Sequence, residues 1–165
     1  SSIFPSIKVG DNVEVTYIDP TPYDAIVRKV KVTQSSIGVL SSNCSLRMNV
    51  EDSLWITVVD ADMNSSPYLE ESVSVTVTNL HTGELEHVTL LETSLNSVQG
   101  EFTGLLLTKF GTLNDEDDNG VLDIKSGDLI TIVYGEVAPA RDLSVDIKVA
   151  TLGKLSLSPP ILSTN

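Results

Sequence analysis

Glu71-Ser72-Val73-Ser74-Val75-Thr76-Val77-Thr78 carries the clearest strand signal in the chain. Three valines recur at period two between small hydroxylated residues, which gives an extended segment one apolar and one polar face. His81-Thr82-Gly83-Glu84 follows as a turn, and residues 85–91 return as the second arm of a hairpin. Further out the same period recurs. Val13, Val15 and Tyr17 alternate with Glu14 and Thr16, and residues 26–33 carry Arg28, Lys29 and Lys31 between apolar positions. Leu54–Val59 is almost wholly apolar and reads as a central strand with Trp55 in the core. Residues 101–108, 129–134 and 143–149 complete the set, with reversals at Asn119-Gly120 and Ser126-Gly127-Asp128. Eight or more short strands without a helical pattern predict an all-β protein, a two-sheet antiparallel β-sandwich of Ig-like or jelly-roll type. The expected layout is an extended N-terminal segment over residues 1–9, the sandwich over 10–158 and a tail over 159–165.

Composition supports that reading. Val, Ile and Thr, which suit a pleated half-buried surface, make up 46 of the 165 residues. The formal net charge of −13 argues against a nucleic-acid surface, which needs a basic stripe. No apolar run approaches the ~20 residues of a membrane-spanning helix. The one cysteine, Cys44, excludes an internal disulfide and any cysteine-built zinc site, and it reads as a small buried residue. Ser1 is not an initiator, so a processed or excerpted chain is expected. The acidic balance and the wealth of Ser and Thr suit an extracellular, cell-surface setting. There Asn43-Cys44-Ser45 and Asn64-Ser65-Ser66 would be glycan acceptors.

An internal repeat runs through the chain. Lys8-Val9-Gly10-Asp11-Asn12-Val13-Glu14-Val15-Thr16-Tyr17 lines up with Lys125-Ser126-Gly127-Asp128-Leu129-Ile130-Thr131-Ile132-Val133-Tyr134. Lys, Gly, Asp and Tyr coincide, and the apolar positions keep phase. Pro22 falls on Pro139, and Val30-Lys31-Val32 falls on Ile147-Lys148-Val149. The chain therefore reads as more than one copy of a unit whose middle occurs once. The alternative is two similar hairpin starts arising from β-rich composition.

The ordered series Val58-Val59-Asp60-Ala61-Asp62-Met63-Asn64, residues 71–78, residues 85–92, Gly100-Glu101-Phe102-Thr103-Gly104, Asn119-Gly120-Val121-Leu122 and Gly127-Asp128 carries a resemblance. It is similar to the tandem Ig-like or cadherin-like β-sandwich repeats of large prokaryotic surface-layer and adhesin-type proteins. The resemblance implies an extracellular, non-catalytic, calcium-dependent structural module.

The sharpest local pattern is Asp115-Glu116-Asp117-Asp118-Asn119-Gly120-Val121-Leu122-Asp123. As a calcium loop it offers Asp115, Asp117, Asn119 and Asp123 as side-chain ligands and the Val121 carbonyl, with Gly120 at the sharp turn. Ser126 stands where an EF-hand has its bidentate Glu, so Asp128 or an acid from another strand would have to close the shell. A solvated acidic turn is the alternative. Asp60 and Asp62, on one side of a persisting strand, form a second candidate pair for Ca2+. There too acids in water at a strand end are the alternative, and a metal at Asn64 competes with a glycan.

No catalytic constellation emerges. His81 and His87 flank one hairpin without a nucleophile, and no phosphate-binding glycine loop is present. The stripe Ile3, Pro5, Ile7 and Val9 is too short to fold alone and suggests assembly through a neighbour's open sheet edge. The expected partners are copies of the chain or neighbouring repeats, which makes the chain a subunit of a surface layer or filament. The rival is an adhesin or carbohydrate-binding module with glycans as partners.

Overall fold

The structure is a computed structural model that describes residues 7–21, 23–44, 46–66, 68–95, 99–111, 117–137 and 139–150. Two compact units divide the chain at residue 36, whereas the sequence reading ran one domain from 10 to 158. The first unit holds an antiparallel hairpin, β1 (Asn12–Pro20) with β2 (Tyr23–Lys31). Ile7 and Val9 of the expected assembly stripe precede it, both exposed and outside any strand, while Ile3 and Pro5 lie outside the described residues.

The second unit is built from β3 (Val39–Ser42), β4 (Arg47–Met48), β5 (Leu54–Val59), β6 (Ser72–Asn79), β7 (Leu85–Glu92), β8 (Glu101–Phe110), β9 (Val121–Ile124), β10 (Leu129–Val137) and β11 (Ala140–Val149). They pair in the order β3-β5-β8-β7-β6-β10-β11-β4, with β9 attached to β8. The sheet is curled, and β3 and β11 lie in contact. Pairing is antiparallel except at β4–β11 and β8–β9, which are parallel. The class is all-β, as expected, with mixed rather than purely antiparallel pairing.

Period two explains which face is buried. Val73, Val75 and Val77 of β6 point inward, as do Leu54, Ile56 and Val58 of β5, Ile130, Ile132 and Tyr134 of β10, and Ile147 and Val149 of β11. Each large aliphatic side chain so buried contributes roughly 1.5–3 kcal/mol. Trp55 corrects the sequence reading: it is 51% exposed. β5 is central in its pairing, between β3 and β8, but only one of its faces is covered. An apolar run therefore signals burial on both faces only where a second layer exists to supply it.

Candidate functional site

Buried acids occupy both ends of the core. β7 pairs with β8 only at Leu91–Thr103 and Glu92–Phe102; beyond these β8 parts from β7 and takes β9 as its neighbour. The acidic turn is set against the β7 backbone left open there. The Leu85 amide donates to Asp117 Oδ1 at 2.9 Å, and the His87 amide donates to Asp118 Oδ1 at 2.8 Å. The His87 ring also contacts Asp118 Oδ1 at 2.8 Å. These hydrogen bonds from His87 hold the Asp118 carboxyl below its ordinary range. Asn119 Oδ1 accepts from the Val121 amide within its own turn.

Behind this turn lies the part that sequence reading missed. Glu84 and Glu86 point inward in phase with Val88 and Leu90. Glu86 accepts from the Asn119 amide at 3.2 Å and the Gly120 amide at 2.8 Å. Both oxygens of Glu84 accept from the Asp123 amide at 3.1 Å. Burial raises the Glu84 pKa, and the charges of Asp123 and Glu86 add to the rise. Asp123 is itself buried. Its Oδ1 lies 3.2 Å from Lys109 Nζ, close enough for an ion pair but not aligned as a hydrogen bond. Gly111 permits this approach, since a Cβ there would fall 2.3 Å from Asp123 Cγ.

Asn79 ties the cluster to the β10 strand start. Its Nδ2 donates to the Asp123 carbonyl at 2.9 Å and to Asp128 Oδ2 at 2.8 Å. Asp128 Oδ2 also accepts from the Lys125 amide at 3.0 Å, which makes Asp128 a turn-closing residue. Its other oxygen has no hydrogen bond among the described residues and lies 3.9 Å from His81 Nδ1.

The opposite end of the curled sheet holds Asp60, Glu92, Tyr134 and Glu136, all buried. β5 ends at Val59, and Ala61–Met63 form a 3-10 turn capped by Asp60, whose Oδ1 accepts from the Asp62 amide. Asp60 and Asp62 therefore do not share a strand face: Asp60 is buried and Asp62 is exposed. Asp60 Oδ2 accepts from the Tyr134 hydroxyl at 2.7 Å, and burial together with that carboxylate raises the Tyr134 pKa. Glu136 accepts from the Gly38 amide at 2.7 Å and from Arg141 Nε at 2.8 Å, which lower its pKa. Neither Glu92 oxygen has a hydrogen-bond partner among the described residues.

The structure thus joins Asp123 and Asp128 through Asn79 and sets Glu84 on the Asp123 amide and Glu86 on the Asn119 and Gly120 amides, while Asp117, Asp118 and Asn119 face backbone amides. Asp115 lies outside the described residues. Among the described residues no group of three or more acids, histidines or cysteines is arranged to hold a metal ion. The donor set is nonetheless all oxygen, the chemistry a hard cation takes. The missed acids carried one legible signal, their phase: Glu84, Glu86 and Glu136 alternate in register with core residues. Of the glycan candidates, Asn43 is exposed and its Nδ2 donates to the Ser53 carbonyl, while Asn64 is half-buried. Cys44 is partly buried against the core, and burial raises its thiol pKa.

No family model matches the sequence, and no curated protein matches it. Among the described residues no helix is long and apolar enough to cross a membrane.

Proposed function

We propose that this chain is a non-catalytic extracellular structural module, a repeat or subunit of a surface layer or filament, stabilised by calcium and assembled through its terminal strands. In this reading the curled sheet is an Ig-like sandwich of the kind the sequence resembles. The carrying observation is that the chain contains the same hairpin twice. Every one of the nine residue pairs from Asn12–Lys31 to Pro20–Tyr23 recurs 117 positions later, from Leu129–Lys148 to Val137–Ala140. A repeated element of fixed geometry is how modules are joined in series, where each contacts its neighbours.

Calcium enters this reading as the counterion of the buried acids. Glu84 and Asp123 would hold it, with Asp128 and Glu86 nearby, where Lys109 now offsets part of the charge. A bound divalent ion would relieve the repulsion that Asp123 and Glu86 add to the burial-driven rise of the Glu84 pKa. The experiment is thermal melting with calcium and with chelator, beside electron microscopy of the same samples. Stabilisation of about 2.7 kcal/mol is expected at a hundredfold excess over Kd. The paired exchange Glu84→Gln and Asp123→Asn should abolish it. A parent protein whose melting ignores calcium overturns the calcium assignment, and one that never assembles overturns the structural role.

A second reading is supported by Trp55. It stands exposed beside its cross-strand partner Leu105, also exposed, and an aromatic on an open sheet face suits the apolar face of a sugar. A calcium-insensitive monomer that retains glycans would favour this adhesin or carbohydrate-binding role.

A further inference from the structure

The β1–β2 and β10–β11 hairpins agree in more than register. Gly10 and Gly127 precede them at φ 93° and 94°, left-handed values that favour glycine. Asp11 and Asp128 each donate an amide to the Lys three residues back, at 3.0 and 3.1 Å, and each accepts that Lys amide on Oδ2, at 2.8 and 3.0 Å. Their carbonyls accept from Val32 and Val149, each at 2.8 Å. A polar cross-strand pair marks the outer face at the same place in both. Glu14–Lys29 is an ion pair at 3.2 Å, and Thr131–Asp146 is a hydrogen bond at 2.7 Å.

The other faces differ in what covers them. Ile132, Tyr134 and Ile147 are 0%, 3% and 0% exposed, while their counterparts Val15, Tyr17 and Val30 are 60%, 59% and 60% exposed. β10 reaches its buried state by pairing with β6 from Ile130–Asn79 to Val133–Thr76. Asn79, Asp60 and Gly38 then bind Asp128, Tyr134 and Glu136. The first hairpin keeps a matching group at each of those positions, Asp11, Tyr17 and Asp19, and in its sheet β1 pairs only with β2. Two positions depart on this face: Arg28 stands where Val145 is half-buried, and Asp24, the register partner of Asp19, stands where Arg141 pairs with Glu136.

We infer that the Val13, Val15, Tyr17, Ile26 and Val30 face is a docking surface for a second body of the residue 37–124 kind. It would use the contacts that β10–β11 make. The occupant is a body carried ahead of the hairpin in the same polypeptide, because a body stands in that order before β10–β11. In the occupant, the Asn79 counterpart donates to Asp11, and Tyr17 donates to the Asp60 counterpart. This rests on the modular reading above and names the surface through which one module closes another.

The test joins residues 37–124 directly ahead of Lys8 in the full chain, which preserves the repeat spacing. Amide exchange of residues 13–16 should slow at least tenfold, and Tyr17 should become buried. Val15→Lys with Val30→Lys should unfold only the added body, while the same pair in the unextended chain leaves its melting unchanged. An added body that stays unfolded, or unchanged exchange at residues 13–16, overturns the inference. A dimer of the unextended chain that the Val15→Lys, Val30→Lys pair abolishes also overturns it, by making a second copy the occupant. Calcium-independent melting leaves this pairing standing and strikes only the calcium assignment, so the two failures are distinguishable.

Discussion

The β1–β2 and β10–β11 hairpins have one backbone and two fates. Local chemistry is common to them: a Lys-x-Gly-Asp start, nine paired residues in the same register, and a polar pair on the outer face. What separates them is the β6 edge and the core behind it, against which only β10 is placed by pairing. A hairpin's register is thus a local property, whereas the worth of its apolar face is set by what lies opposite.

The largest test of that comparison is truncation at matched positions. Ile132→Ala should cost about 2–5 kcal/mol in denaturant unfolding, because a fully buried side chain leaves a cavity. Val15→Ala in the same chain should stay within about 0.5 kcal/mol, as exposed substitutions do. Equal costs would break the comparison.

Hydroxyl removal probes the next level. Tyr134→Phe deletes a buried donor to Asp60 and should cost about 1–3 kcal/mol, whereas Tyr17→Phe should be close to neutral. Urea midpoints of the two variants decide this directly.

The smallest effect lies in the pH dependence of stability. Glu136 has its folded pKa lowered by the Gly38 amide and Arg141, so its contribution is present above the ordinary carboxyl value of about 4.3. It is lost as pH falls through the lowered folded value. Glu136→Gln should therefore flatten the acid limb of the stability curve. An acid limb that keeps its slope in this variant would show that the Gly38–Glu136–Arg141 contact is energetically silent.

Strand positions were legible because alternation at Val73, Val75 and Val77 and the turns at residues 81–84, 119–120 and 126–128 act over a few residues. The repeat was legible for the same reason, since Gly10 and Gly127 need only their own turns. The candidate site was legible in part. The acids from Asp117 to Asp128 stood out by spacing, but their spacing suggested convergence on one ion. In the structure Asp117 and Asp118 turn to the β7 backbone that β8 leaves unpaired, and Asp123 turns to Glu84 and Lys109. Glu84 lies 39 residues from Asp123, and nothing local connects them.

From the residues themselves came the all-β class, the hairpin around residues 81–84 and the matching Lys-x-Gly-Asp starts, because backbone conformation and side-chain parity follow from neighbours in the chain. Tertiary structure alone decided that Trp55 faces outward, that Asp60 caps a 3-10 turn and binds Tyr134, and that Glu84 meets Asp123 inside the core. It also decided which of two matching hairpins is buried. Those outcomes depend on which surfaces meet across the fold, and burial, unlike alternation, belongs to pairs of surfaces rather than to one strand.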